Sequence, residues 1–261
     1  MKEPIGQFTS VDDERATVYI ARKMFLITDF DTQLQGASAQ EILSFFLEKF
    51  GSELTLSSSL GMEDQVLTHM LSCLVTPPDV FVLDTGRLHE QTYELLELSR
   101  ATYAIPYRVF YPDTEAVQAL VCAHGPNLFY QSVDYRKACC HVRKVEPLRR
   151  ALQGYKVWVT GQRRDQSVTR AELPFIEWDA HHHLVKLNPL ATWTLSDVEA
   201  YVQAHHVPIN RLHQHGYPSI GCEPCTRAVK AGEPLRSGRW WWEDPDGKEC
   251  GLHVSKKEVI S

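Results

Sequence analysis

The chain has 261 residues and a formal net charge of -6, with 43% of its residues hydrophobic and 23% charged. That length and apolar content can build a packed core and exclude a disordered or staple-dependent chain, while the mild acidity excludes a general field for nucleic acid. The start, MKEPIGQFTSVDDE, lacks the apolar core of a signal peptide, and no apolar run reaches the roughly 18 residues a bilayer demands, so a cytoplasmic location with neither membrane nor nucleic-acid partners is expected.

From Ala37 to Phe50 the residues Ile42, Leu43, Phe46, Leu47 and Phe50 recur at helical spacing, and Gly51 fits a helix stop. Leu54-Thr55-Leu56 predicts a strand running into the polar loop Ser57-Ser58-Ser59-Leu60-Gly61, after which Val66, Leu67, Met70 and Leu71 mark a helix. Asp79 to Leu83 repeats the pattern, with a polar turn at Asp84-Thr85-Gly86-Arg87 and a helix from about His89 to Arg100. Further strands are predicted at Tyr107 to Phe110 and at Lys156 to Gly161. Phe175 to Asn188 reads as a hairpin around Ala180-His181-His182-His183, and Thr194 to His206 as a helix opened by a capping box of Thr194 and Asp197. From Gly216 onward glycine and proline become frequent and periodicity is lost, which predicts an irregular tail packed on the body. The alternation of strands and helices defines an α/β fold with a mainly parallel sheet covered by helices on both faces. Residues 1–215 would form the body with an N-terminal helical extension, and 216–261 the tail.

Ligands of such sheets sit at the carboxyl ends of the strands, which directs attention to three loops. Ser57, Ser58, Ser59 and Gly61 precede a helix and offer hydroxyls, a permissive backbone and free amides, the makings of an anion site. Asp84 ends the adjacent strand, where a ribose or base would lie. Gly161 permits close backbone approach, and Arg163, Arg164 and Arg170 follow it with guanidinium forks suited to phosphate and sulfate oxygens.

The seven cysteines are Cys73, Cys122, Cys139, Cys140, Cys222, Cys225 and Cys250. In a reducing compartment such clustering points to metal ligands or reactive thiols rather than disulfides. Cys139-Cys140 and the CxxC of Cys222 and Cys225 could bind tetrahedral zinc or an iron-sulfur cluster. Adjacent cysteines converge poorly on one ion, whereas a 4Fe-4S cluster offers a separate iron corner to each, so the spacing favours the cluster. Cys250 stands apart in KECGLH, where Lys248 and His253 would favour its thiolate, and it is a nucleophile candidate. Arg236 and Arg239 precede it and supply anion-binding charge, while Trp240-Trp241-Trp242 could dock the tail onto the body. Cys73 and Cys122 read as core residues, and the three histidines as a polar hairpin tip rather than a metal site.

The segments SSSLGMEDQVL, LDTGRLHEQTYEL, CCHVRKVEPL, TGQRRDQSVTR, GCEPCTR and KECGLH, in this order, resemble the assimilatory sulfonucleotide reductases, specifically the iron-sulfur adenylyl-sulfate reductases of bacteria and plants. The likeness runs from about Leu54 to His253. It implies a modified ATP-pyrophosphatase-like fold (adenine nucleotide alpha hydrolase-like) that binds adenosine 5'-phosphosulfate in the 1–215 body. By matching position it implies that Cys139, Cys140, Cys222 and Cys225 hold one 4Fe-4S cluster, that Cys250 on the 216–261 tail attacks sulfur, and that Lys144, Arg236, Arg239 and His253 contact the phosphosulfate. Thioredoxin or glutaredoxin would complete the reduction, and a homo-oligomer is compatible with the sequence. The serine loop departs from the SGGxDS form of ATP pyrophosphatases, which speaks against adenylylation chemistry.

Overall fold

A computed structural model describes residues 27, 29–30, 32–167, 170–230, 232–244 and 252. Helix α1, Ala39–Phe50, opens on a reciprocal capping box between Ser38 and Glu41 and stops at Gly51, whose φ of 52° favours glycine. Strand β1, Leu54–Ser58, leads into α2, Met62–Ser72. Then come β2, Asp79–Leu83, α3, Glu90–Thr102, β3, Tyr107–Phe110, and α4, Thr114–His124. Helix α5, Val133–Cys140, continues through a π-helical turn, His141–Val145, into α6, Glu146–Ala151. Strand β4, Val157–Val159, is followed by the hairpin β5, Ile176–Asp179, and β6, Leu184–Leu187, and by α7, Leu195–His205.

The six strands lie in the order β3-β2-β1-β4-β6-β5, and every neighbouring pair is parallel except β5 with β6. The chain builds outward from β1 to β3 and returns to β4 on the other side of β1. The order therefore reverses between β1 and β4, where an open α/β sheet forms its ligand crevice.

Side chains alternate across the sheet. Leu54, Leu56, Val80, Val157 and Val159 pack with Ile42, Leu43 and Phe46 of α1 and Val66, Leu67 and Met70 of α2. Phe81, Trp158 and Leu184 turn to the other face, against Leu148, Ala151 and Leu152. Helices thus cover both faces, as the strand pattern predicts. Helix α4 escaped the sequence reading because it buries no residue, and α5 because its inward face carries Arg136 with two cysteines rather than an aliphatic stripe.

The expectation for two cysteines needs correction. Cys73 and Cys122 are both exposed, not core residues: Cys73 caps the end of α2, and Cys122 lies on the surface helix α4. The histidine tip is a turn held by Asp179, whose Oδ1 accepts from the amides of His181 and His182 at 3.0 and 2.9 Å. Among the described residues no helix is long and apolar enough to cross a membrane.

Phe46 is fully buried, edge-on to Phe30 and stacked on Phe50 at ring separations of 5.1 and 5.8 Å. Phe46→Ala should lower the unfolding free energy by about 3–5 kcal/mol, read from the urea midpoint. A loss under about 1 kcal/mol would show that this cluster is not part of the cooperative core.

Candidate functional site

Helix α5 is positioned at its start by Ser132, whose hydroxyl accepts from the Tyr135 amide at 3.1 Å. It ends in Cys139 and Cys140, both buried. The π turn that follows carries Arg143 and Lys144, so one continuous segment brings two thiols and two cations to the same cavity. Wide turns of this kind recur at functional sites.

Cys222 and Cys225 line the same cavity. They flank a 3-10 turn, Glu223–Cys225, in which the Cys225 amide and the Thr226 hydroxyl donate to the Cys222 carbonyl at 3.0 and 2.9 Å. Glu223 donates its amide to the Arg87 carbonyl at 2.8 Å, and Thr85 Oγ1 lies 3.2 Å from Cys222 Sγ, which docks the turn on the loop after β2. Tyr130 donates its hydroxyl to the Pro224 carbonyl at 2.7 Å. Behind it, the Trp240 amide donates to the Cys225 carbonyl at 3.1 Å, and Trp240 is buried among the cysteines. Arg136 Nε and Nη2 donate to the two carboxylate oxygens of Glu243 at 2.9 and 2.8 Å, with both side chains buried. A Cβ at Gly221 would overlap the Arg239 guanidinium, so glycine there lets Arg239 lie close against the chain.

The cavity is apolar in its walls, Phe129, Pro224 and Trp240, and cationic at its margin, with Arg87, Arg136, Arg143 and Lys144. Burial pushes the Cys139 thiol up, against the pull of Arg143. Burial and the neighbouring Cys222 push Cys225 up to about 12. Cys222 goes the other way: burial opposes ionisation, yet the charge of Lys144, the Thr85 hydroxyl, Arg239 and Arg143 together hold it below the ordinary thiol range. Four thiols in an apolar pocket ringed by cations fit a thiolate-bound anionic metal cluster, whose net charge the cations would offset. Among the described residues no group of three or more His, Cys, Asp or Glu side chains could hold a single metal ion, so the fit is of four thiols to separate corners of a multi-metal group and not to one mononuclear ion.

The crevice between β1 and β4 gathers a second set of the predicted residues. Asp64 Oδ2 accepts from the amide and hydroxyl of Ser59 at 2.7 and 2.6 Å. Ser58 Oγ accepts from the Leu60 amide at 3.1 Å, and Ser57 Oγ from Trp158 Nε1 at 2.7 Å. Gly61 caps α2, and Gly161 lies so close to Asp64 Oδ1 that a Cβ would overlap it. Arg163 is buried, with its Nη2 2.8 Å from Glu63 Oε1. Arg164 donates to the Leu173 carbonyl at 2.8 Å, and Arg170 to Gln166. Asp84 is buried and accepts from the Gly86 amide and the Tyr93 hydroxyl at 2.8 and 2.9 Å.

Of the tail residues, Arg239 is buried beside Trp240 and Arg236 is half-buried one turn earlier, its carbonyl accepting from the Arg239 amide at 3.0 Å. Cys250 and His253 lie outside the described residues. Leu252, which falls between them in sequence, packs against the cluster of Phe81, Leu148 and Trp158. The sequence reading did not pick out Arg136, Arg143 or Arg87 as site residues. The signal was present for two of them: Arg136 precedes Cys139 and Cys140 by three and four residues, one helical face, and Arg143 adjoins Lys144.

Residues 53–228 match the phosphoadenosine phosphosulfate reductase domain. The adenosine 5'-phosphosulfate reductase of Burkholderia cepacia is 51% identical over 222 residues, which covers 84% of this chain and 89% of that protein. The crystal structure of phosphoadenylyl-sulfate reductase from Candida auris superposes with a TM-score of 0.67 at 30% identity, covering 78% of this chain and 96% of that one. FMN adenylyltransferase of Candida glabrata, at 17% identity and a TM-score of 0.51 over 88% of this chain and 82% of that one, shares the fold alone. The chain belongs to the phosphoadenosine phosphosulfate reductase domain family, an α/β family of sulfonucleotide reductases.

Burial raises the Asp64 carboxyl from 3.8 to about 6, outweighing the Ser59 hydrogen bonds that lower it. Between roughly pH 4 and 6 the folded chain therefore keeps a proton that the unfolded chain has lost. The contribution of this group to stability is complete below that window and falls as pH rises through it, by a few kcal/mol at most. Asp64→Asn, which keeps an acceptor for Ser59, should flatten the unfolding midpoint across this window relative to the parent. An unchanged pH slope would contradict the assignment.

Proposed function

We propose that this chain is an adenylyl-sulfate reductase of sulfate assimilation, which converts adenosine 5'-phosphosulfate to sulfite and AMP through a thiosulfonate on Cys250, with thioredoxin or glutaredoxin as reductant in the cytoplasm. The observation that carries it is the single cavity shared by Cys139, Cys140, Cys222, Cys225 and Lys144. On this reading the four cysteines hold one 4Fe-4S cluster, and tail residues 216–261 bring both the CxxC and the nucleophile to the body. When bound, the cluster supplies a compact negative charge that fixes and electrostatically biases the Lys144 ammonium.

The remaining work falls to the chain's own groups. The crevice at Ser57, Ser58, Ser59, Gly61, Asp84 and Gly161 seats the nucleotide, with Arg164 and Arg170 on its phosphosulfate side. Arg163, bound to Glu63, shapes the wall of that crevice. The Cys250 thiolate attacks the sulfate sulfur, the bond to the phosphate oxygen breaks, and AMP leaves with the electron pair. A thiolate approaching an anion is repelled, so Lys144, Arg236, Arg239 and His253 must neutralise the sulfonyl oxygens and the leaving phosphate. A thiolate of the protein reductant then attacks the Cys250 sulfur and expels sulfite, and its second thiol resolves the mixed disulfide, so the partner dithiol provides both electrons.

Reduction of the 3'-phosphorylated nucleotide is the second reading, favoured by the Candida auris relative. An anaerobic thioredoxin-coupled sulfite assay separates the two. The proposal expects kcat/KM for adenosine 5'-phosphosulfate to exceed that for the 3'-phosphorylated form by at least about 10-fold, the effect of one charged contact. The reverse ratio would establish the second reading. Cys250→Ser should still bind nucleotide yet form no sulfonated adduct by intact mass, and an adduct on that variant would remove Cys250 from its role.

A further inference from the structure

We infer that the surface made by Tyr130, Trp241 and Trp242 is the docking surface for the protein dithiol that releases sulfite from Cys250; this inference rests on the function proposed above. Tyr130 is 44% exposed and Trp241 39% exposed, whereas the adjoining Trp240 is 1% exposed. The rings form one contiguous group: Tyr130 to Trp241 is 6.1 Å between centroids, Tyr130 to Trp242 4.5 Å and Trp241 to Trp242 4.7 Å. Val133, three residues after Tyr130 at the first turn of α5, is a further exposed apolar side chain at 44%. Contiguous exposed aromatic groups mark interaction sites, and Trp and Tyr dominate the binding energy of interfaces.

The group is held in place from behind. Tyr130 donates to the Pro224 carbonyl, Phe129 lies 6.1 Å from Trp242, and Glu243 is clamped by Arg136. A surface fixed before the partner arrives loses little freedom on binding. None of these rings lines the cysteine cavity, although Trp242 packs against the cluster that includes its four cysteines; Trp241 is the tryptophan of the group that is exposed.

The occupant follows from where the chain leads. The described residues of this segment end at Asp244, two positions after Trp242, and Cys250 is six residues further on. From Trp242 the eight residues to Cys250 span at most about 28 Å when fully extended. Whatever attacks the Cys250 sulfur must come within that reach of the aromatic surface. A dithiol protein of roughly 100 residues has a radius of gyration near 13 Å, so it can rest on Tyr130 and Trp241 while its thiolate meets Cys250. The step is balanced. The partner thiolate bonds to Cys250 Sγ, the sulfur-sulfur bond of the thiosulfonate breaks, and sulfite leaves with the pair. The second partner thiol then displaces Cys250 as thiolate, leaving the partner as its disulfide and one proton from each thiol in solvent.

The test uses the cluster-loaded full chain, with Trp241→Ala and, independently, Val133→Glu beside the parent. Single turnover with adenosine 5'-phosphosulfate, followed by intact mass, reads adduct formation; dithiothreitol and a bacterial thioredoxin are then compared as releasing agents. The inference expects adduct formation and dithiothreitol release within about twofold of the parent, and a thioredoxin KM raised at least ~10-fold, the scale of an interface hot spot. An unchanged thioredoxin KM in both variants overturns it. Equal slowing of adduct formation or of dithiothreitol release also overturns it, and shows that the surface seats the chain's own tail. Conversion of a dimeric parent to a monomer by Trp241→Ala, on light scattering, overturns it in favour of a second copy. A parent that forms no adduct at all defeats the function reading itself, an outcome distinct from the other three.

Discussion

A buried charge pair between residues 107 positions apart, Arg136 and Glu243, carries the construction of the cysteine site. Arg136 is completely buried within α5, and a lone guanidinium there would be untenable. Glu243 meets it with two parallel hydrogen bonds, and Trp240 lies beneath it, its ring centroid 4.8 Å from the guanidinium carbon. Arg239 stands at the same 4.8 Å from that ring. Removing the carboxylate would strip a buried guanidinium of two charge-assisted hydrogen bonds, at a cost of about 3–5 kcal/mol. The pair contributes less than that to net stability, since an apolar replacement of both partners would pack nearly as well. Its contribution is register: it fixes which stretch of an irregular tail faces α5.

The cavity depends on that register together with the contacts of Glu223 to Arg87, Thr85 to Cys222 and Tyr130 to Pro224. With the tail fixed, Cys222 and Cys225 share one cavity with Cys139, Cys140 and the cations of the π turn. The thiols are then electrostatically unequal, Cys222 lowered chiefly by Lys144 against its burial and Cys225 raised by burial and by Cys222. The stretch from Asn210 to Cys225 also links the cavity to the sheet crevice. His213 Nδ1 lies 2.8 Å from the Tyr217 carbonyl and feels the charge of Glu63, while the Tyr217 ring meets His89, which feels Glu223.

Much of this was legible in the sequence, for identifiable reasons. Val157-Trp158-Val159 and Val80-Phe81-Val82 are short apolar runs bounded by turn residues, and buried parallel strands leave that signature. Thr194 and Asp197 announced α7 through a capping box the structure contains. The adjacent cysteines and the CxxC marked their own cavity, because few other arrangements justify four thiols in an apolar place. The polar helix around Arg136 was not legible, since its amphipathic signal is inverted: the buried face bears the charge, and the partner that makes this tolerable is more than a hundred residues away. Exposure of Cys73 and Cys122 was missed for a related reason. Both sit beside apolar neighbours, and only the packing of whole helices decides which side of a helix end meets solvent.

On the proposed function, the Arg136–Glu243 pair would align the two cysteine pairs on one iron-sulfur group. The direct measurement is iron and acid-labile sulfide per chain in anaerobically purified parent and Glu243→Ala, with far-ultraviolet circular dichroism to confirm that both are folded. The account predicts about four irons and four sulfides per parent chain and less than half of that in the folded variant. A folded Glu243→Ala chain with full iron and sulfide content would contradict it.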